Sequence, residues 1–305
     1  MIPAAWLWIP ITIAAALAQT ARNAAQRHLT VTLGTLGSTL VRFLYGLPFA
    51  ALWLLGVHLA GNFPLPAPNA VFAGWVALAA VAQIAATALL LKVMSERNFT
   101  LGVAYSKSEV IQVAIFGLVF LGDPVTLTTM AAIAFGTLGV LLLSPIDRKH
   151  PFATLVAGWT TRPALFGLLS GAAFGIASVG YRGGALALAG SAFPMAAAYT
   201  LVAAQLLQTL LLVGWLLVRD ARIVARVCHA WRSSLFAGLM GATASAGWFT
   251  AFAIEPVAHV RTLALIELLF GYVVSRRIFH ERVTRFEIAG MGLLTVGLIV
   301  VTLAH

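Results

Sequence analysis

Tyr105, Glu109 and Gln112 are spaced four and three residues apart, which puts all three on one face of a helix. They offer a hydroxyl, a carboxylate and an amide to one side of a run that is otherwise nearly all apolar. Lys107 is two residues from Glu109, so regular helical geometry turns it to another face, from which its stem reaches outward. Glu267 stands in a matching run near the other end of the chain, and Arg42 lies deep in a third. A central Asp, Lys or Arg costs about 2.5–3.5 kcal/mol in a membrane helix. Such a residue therefore faces a protein interior or a wet cavity and is a functional candidate. The two glutamates are candidates for proton exchange coupled to movement of a substrate. Arg42 keeps its charge at ordinary pH, so it holds an anionic group or pairs with a glutamate. Glu109, Glu267, Arg42, Tyr105 and Gln112 are the candidate substrate-binding or coupling residues. The competing use of each is an interhelical hydrogen bond or ion pair.

The background explains why these few residues stand out. The chain has 305 residues, of which 61% are hydrophobic and 9% charged. A soluble domain carries about 25% charged residues. With a mean hydropathy of +0.97, the composition is that of an all-α polytopic membrane protein. The net charge of +10 does not imply a nucleic-acid partner, because the basic residues sit in short links between apolar runs. A single cysteine, Cys228, rules out an intrachain disulfide and a cysteine-based metal site. Residues 1–20 have no Lys or Arg ahead of their apolar run and read as a spanning helix rather than a signal peptide.

Ten stretches approach the roughly 20 apolar residues that a spanning helix needs. They are about Pro3–Ala21, Leu33–Leu59, Val71–Leu91, Leu101–Leu121, Leu127–Ser144, Ala164–Ala185, Pro194–Val218, Leu235–Ile254, Val260–Phe279 and Phe286–Leu303. Arg22 to His28 reads as a basic link, and 146–163 as the boundary between halves. Shifting the numbering by 158 sets Glu109 on Glu267, Asp123 on Glu281, Val125-Thr126 on Val283-Thr284 and Gly139 on Gly297. The expected organisation is thus a five-helix repeat over 1–145, a connecting loop, and a second five-helix repeat over 164–305.

An odd number of helices per copy inserts the second copy upside down, so equivalent loops should differ in basic content. They do: the link after the second helix has no Lys or Arg, and its counterpart has Arg219, Arg222, Arg226 and Arg232. Basic residues gather on one face, while the other carries only Arg182 and Arg261. The face rich in basic residues is cytoplasmic by the positive-inside rule, and both termini lie on the other side. Inverted repeats mark secondary transporters, whose substrate site lies at the repeat interface.

These features resemble the drug/metabolite transporter superfamily, in particular its EamA-type members. The resemblance rests on Glu109, Gly122-Asp123, Val125-Thr126 and Gly136-Gly139. It is repeated at Glu267, His280-Glu281, Val283-Thr284 and Gly290-Gly292-Gly297, with Arg42-Phe43, Gly46 and Pro48 resembling the family's second helix. It covers essentially the whole chain. It implies ten helices in two repeats, and movement of metabolites, amino acids or organic molecules, as export or exchange, across the cytoplasmic (inner) membrane. The family's proline after each glutamate is replaced here by Val110 and Leu268, so a proline-induced break is not expected. The family also keeps both termini in the cytoplasm, against the charge pattern of this chain.

No cofactor or metal is expected, and an enzyme is disfavoured. There is no His-Glu-x-x-His pair, Gly-x-Ser-x-Gly elbow or phosphate-cradling loop. The expected partners are a small-molecule substrate, membrane lipids and protons as a candidate coupling ion, in a monomer or homodimer. A lipid-handling protein or a non-transporting scaffold is the alternative. Gln83, Gln205 and Gln208 read first as helix–helix hydrogen bonders. Glu255 and His259 read as a solvated loop, and the eight tryptophans as interface anchors.

Overall fold

Gly34 folds the first helix back on itself. In the computed structural model, α1 runs Trp8–Leu44, yet Gly34 has φ +69° and ψ 176°, far from helical values. This is left-handed backbone that glycine adopts without a Cβ penalty. The Gln26 amide donates to the Ser38 carbonyl at 2.6 Å. In a straight helix those residues would stand about 18 Å apart at about 1.5 Å per residue. One apolar run thus becomes two antiparallel legs, with Leu29 and Leu33 of the first packed in one cluster with Leu40, Val41 and Phe43 of the second.

The structure describes residues 6–96, 106–107, 109–143, 162–188 and 190–278, together with 289–290, 292–293, 295–297 and 299–300. The later helices are α2 Leu47–Gly61, α3 Ala70–Glu96, α4 Glu109–Leu121, α5 Leu127–Leu143, α6 Arg162–Ala187, α7 Phe193–His229, α8 Trp231–Ile254, α9 Val257–Leu263 and α10 Ile266–Ile278. No strand occurs among the described residues. Among the described residues, five stretches are long and apolar enough to cross a membrane: Trp8–Gly61, Ala70–Ser95, Leu165–Ala187, Phe193–His229 and Trp231–Ile254. Helix α7 has its own interruption at Asp220, whose backbone is extended. The Asp220 carboxylate accepts from the Arg222 backbone N–H at 3.1 Å and caps the basic segment that follows. Residues 146–161, most of the expected connecting loop, lie outside the described residues, as do Tyr105, His280, Glu281 and Thr284.

Two helix pairs dominate the packing: α3 against α6, and α1 against α8. Each pair meets through small residues, which let backbones approach closely in a membrane helix bundle. A Cβ placed on Gly180 of α6 would lie 2.9 Å from the Ala79 Cβ of α3, and one on Gly247 of α8 would lie 2.7 Å from the Ala15 Cβ of α1. Gly167, Gly171 and Gly175 stand at four-residue spacing in α6, and Gly175 faces Val113 and Phe116 of α4.

Three sequence expectations need correction. The basic link Arg22 to His28 is not a link: α1 is helical through it, and Arg22, Asn23 and Gln26 are buried. Charge alone marks these residues as a helix end, because a linear pattern does not show the polar partners that neutralise them. Trp8 and Trp248 are core residues rather than interface anchors, although Trp6, Trp53, Trp215 and Trp231 are exposed as expected. Arg261 belongs to no outer loop; it is buried on α9.

Candidate functional site

Glu109 and Glu267 both stand in the first turn of a helix, at the point where a longer apolar run is broken. Neither break contains proline. Between α9 and α10 the chain tightens to three-residue spacing: Leu265 donates to Thr262 O at 3.1 Å, Glu267 to Ala264 O at 3.0 Å and Leu268 to Leu265 O at 2.9 Å. Before α4, the Val110 N–H donates to Lys107 O at 3.3 Å. That bond falls on the Leu268–Leu265 bond under the 158-residue shift. Both breaks are therefore made by tight turns without proline.

The two breaks bring both glutamates to one ammonium. Lys107 Nζ donates to Glu267 Oε2 at 2.5 Å and lies 4.0 Å from Glu109 Oε1. This overturns the expected outward path of the lysine. Lys107 precedes α4 in a turn, so the helical angle that would point it away from Glu109 does not apply. Glu267 is fully engaged: Oε1 accepts from Asn23 Nδ2 at 2.9 Å, and Oε2 also accepts from Gln19 Nε2 at 2.8 Å. Glu109 is not. Its Oε1 lies 3.5 Å from Arg261 Nη1, and its Oε2 has no partner among the described residues. Gln112 is half-buried, and its amide oxygen likewise has no partner there.

Arg42 reaches neither glutamate. Its Nη1 donates to Thr87 Oγ1 at 2.8 Å. The Gln83 amide, turned so that both its atoms are satisfied, accepts from Nη1 at 2.8 Å and Nη2 at 2.6 Å. The arginine beside Glu109 is instead Arg261, whose Nε and Nη2 donate to Ser178 Oγ at 3.0 and 2.5 Å. Its guanidinium also lies over Trp248 at 5.1 Å and Phe252 at 5.2 Å. Arg22 adds a further buried guanidinium, donating to Asn23 Oδ1 from Nε and Nη2.

Arg42 and Arg261 line a narrow central cavity with Gln19, Gln83, Tyr181, Gln205, Gln208, Ser245, Trp248 and several phenylalanines. The glutamates stand just behind its wall. Gln19 links Glu267 to it, accepting from Trp248 Nε1 at 2.9 Å while donating to the carboxylate; Arg261 links Glu109 to it. Tyr181 donates to Ala79 O at 3.3 Å, accepts from Gln208 Nε2 at 2.7 Å and lies against Phe249 at 4.2 Å. All three glutamines singled out in the sequence face this space, rather than serving only as links between helices. The cavity measures about 20 Å³, room for about one water molecule. A larger solute requires the walls to separate.

A second polar cluster adjoins the cavity at Phe252. Arg182 donates from Nη1 to the carbonyls of Phe252 at 2.6 Å and Glu255 at 2.9 Å, and its Nε lies 3.1 Å from Asp123. Glu255 and His259 are buried, not the solvated loop that the sequence suggests. His259 Nδ1 is hydrogen-bonded to Glu255 Oε1, and Nε2 lies 2.7 Å from Thr129 Oγ1. A neutral imidazole donating to the carboxylate accepts from the threonine hydroxyl. The cluster ties α6, the end of α8, α9 and the α4–α5 turn together.

Sequence reasoning missed Lys107, Arg261 and Arg22 as central residues. Arg22 carried a usable signal, since Gln19, Arg22, Asn23 and Gln26 share a polar stripe at three- and four-residue spacing.

No protein-family profile matches the chain, and no curated protein is similar to it in sequence. Solved structures do resemble it. One, described only as "Crystal structure of protein", aligns over 98% of this chain and 96% of its own, with a TM-score of 0.67 and 13% identity. At that identity the likeness concerns the fold alone.

Proposed function

We propose that this chain is a secondary transporter of the drug/metabolite transporter superfamily, EamA-type, moving a small solute across the cytoplasmic membrane by alternating access. The observation that carries the reading is the meeting of Glu109 and Glu267 at Lys107, with 2.5 and 4.0 Å separations, beside a polar cavity inside an apolar bundle. Ionisable groups are retained at such depth chiefly for function.

The ten-helix reading takes the two legs of α1, with α2 continuing the second, as the first two crossings. Helices α3, α4 and α5 complete one repeat; α6, α7, α8, the broken α9–α10 and the helix within 289–300 form the other. Inversion then exchanges the third crossing with the eighth and the first with the sixth. The two dominant pairs, α3 with α6 and α1 with α8, become equivalents of each other, which is what a pseudo-two-fold axis requires. Basic loops face the cytoplasm and both termini lie outside. Alternating access rocks one repeat against the other around the cavity, with protons as the coupling ion through Glu109.

The lipid-handling alternative has one observation in its favour. An apolar groove of about 580 Å³ runs between α1, α2 and α8, lined by Ile11, Phe49, Leu52, Trp53, Leu239 and Thr250 among others. It contains no ionisable side chain, so the charged centre is left without a use in that reading.

The test is uptake in proteoliposomes holding the purified protein, with and without a pH gradient. Saturable solute uptake supports the transporter. Transfer of labelled lipid between leaflets without solute uptake supports the alternative and overturns the first reading.

A further inference from the structure

Among the described residues, the charges buried at the centre do not balance. Arg22, Arg42, Lys107 and Arg261 are each at most 5% exposed, and the described acids that stand against them are Glu109 and Glu267. The other acids whose side chains are described are engaged elsewhere: Asp123 with Arg182, Glu255 with His259, and Asp220 with the Arg222 backbone. Lys107 and Arg261 take up the two glutamates, which leaves Arg22 and Arg42 in excess. Among the described residues, Arg42 donates to the neutral partners Thr87 and Gln83. Arg22 Nη1 has no partner among the described residues, although Arg22 is 1% exposed.

These two arginines lie side by side. A Cβ on Gly241 of α8 would meet Arg22 Cδ at 3.3 Å and Arg42 Cγ at 3.6 Å. Uncompensated like charges in a water-poor interior are unfavourable, and an anion placed between them removes the penalty. Guanidinium forks bind the oxygens of carboxylate or phosphate in matched pairs. The cavity that Arg42 lines has an aromatic side as well as a polar one, with Tyr181, Trp248, Phe249 and Phe252 on the aromatic side.

Resting on the transporter reading above, the geometry points to a small organic anion as the solute. Its carboxylate or phosphate is held by Arg42 and Arg22, and its apolar part lies against the aromatic wall. Opening of the bundle enlarges the cavity and frees the Arg22 Nη1 donor and the Arg42 fork for the incoming oxyanion. Gln83 and Thr87 hold Arg42 in place between transport cycles.

The test uses the full chain, purified in detergent and in proteoliposomes, with five phenyl compounds that carry different polar groups on short linkers. They are benzoate, phenyl phosphate, phenylalanine, phenethylamine and benzyl alcohol; a matched set of four-carbon aliphatic compounds accompanies them. Binding is read by thermal shift and titration calorimetry, transport by counterflow. Benzoate or phenyl phosphate is expected to bind at least tenfold more tightly than the amine or the alcohol. Which of the two binds separates a carboxylate site from a phosphate site. Arg42→Gln should weaken that binding at least tenfold and Arg42→Lys less. If Arg42→Gln does not give a monodisperse protein, Arg22→Gln provides the same comparison. Tightest binding of phenethylamine, phenylalanine or benzyl alcohol, with uptake, overturns the anion assignment and leaves the transporter reading standing. Absence of binding and uptake for every compound overturns both.

Discussion

Lys107 and Glu267 are separated by 160 positions in sequence and by 2.5 Å in space, the ammonium donating directly to the carboxylate. Their contact fastens the start of α4 to the start of α10, and both side chains are withdrawn from solvent. Breaking one partner of a buried pair leaves the other uncompensated, at a cost of about 3–5 kcal/mol. Lys107→Met should therefore lower the thermal midpoint of the purified protein sharply. Adding Glu267→Gln should restore part of the loss, because both charges are then gone. A double mutant no better than the single one would remove the pair from its stabilising role.

Glu109 is the more loosely held carboxylate, with one oxygen near Arg261 and the other unpartnered among the described residues. Glu109→Gln keeps the shape and removes the exchangeable charge. Solute uptake in proteoliposomes should then lose its response to an imposed pH gradient, while exchange between equal solute pools persists. Retention of the full gradient response would assign proton coupling to another group.

Arg182 holds the Phe252 and Glu255 carbonyls and Asp123 beside the cavity that Phe252 lines, where the cluster can act as a gate. A hydrogen bond to a charged group contributes about 1.5–3 kcal/mol, enough for roughly a tenfold change in the open population. The exposed Cys228 is first replaced by serine, and Phe174→Cys then places a thiol on the cavity wall. Adding Asp123→Asn should raise labelling of that thiol by a membrane-impermeant reagent about tenfold from the side that the cluster closes. Unchanged labelling would argue that the cluster is a static brace.

Gly180 approaches α3 so closely that a Cβ would stand 2.9 Å from the Ala79 Cβ and 3.3 Å from the Trp75 carbonyl oxygen. Backbone cannot swing aside as a flexible side chain does. Gly180→Val should cost about 1–3 kcal/mol by overpacking, read as a lower thermal midpoint. The same substitution at Gly74, which has open space around it, should have little effect and serves as the control.

Orientation is open to a direct measurement. The basic links around Arg222, Arg226 and Arg232 predict a cytoplasmic location for that end of α7. A phosphatase reporter joined after His305 should be active, since that enzyme folds only outside the cytoplasm. An inactive phosphatase fusion, together with a fluorescent cytoplasmic one, would reverse the topology and leave the fold unchanged.

Much of the architecture is written in the sequence, because lipid imposes a simple rule on each segment separately. Long apolar runs must be helical, as every backbone group needs a partner within its own segment. Charges inside such runs stand out: Glu109, Glu267 and Arg42 were visible as candidates, and all three are buried. The match of the two glutamates under one numerical shift was likewise a property of the string of residues. What the sequence left undecided was who meets whom. Arg42 pairs with Gln83 and Thr87 instead of a glutamate, and Lys107 turns inward because it sits in a turn rather than a regular helix. Arg22 and Arg261 resemble loop charges until Asn23, Ser178 and Glu109 are seen around them. Burial of a charge is a property of its surroundings in three dimensions. The partners that make it tolerable come from helices far apart in the chain, and only the packed bundle brings them together.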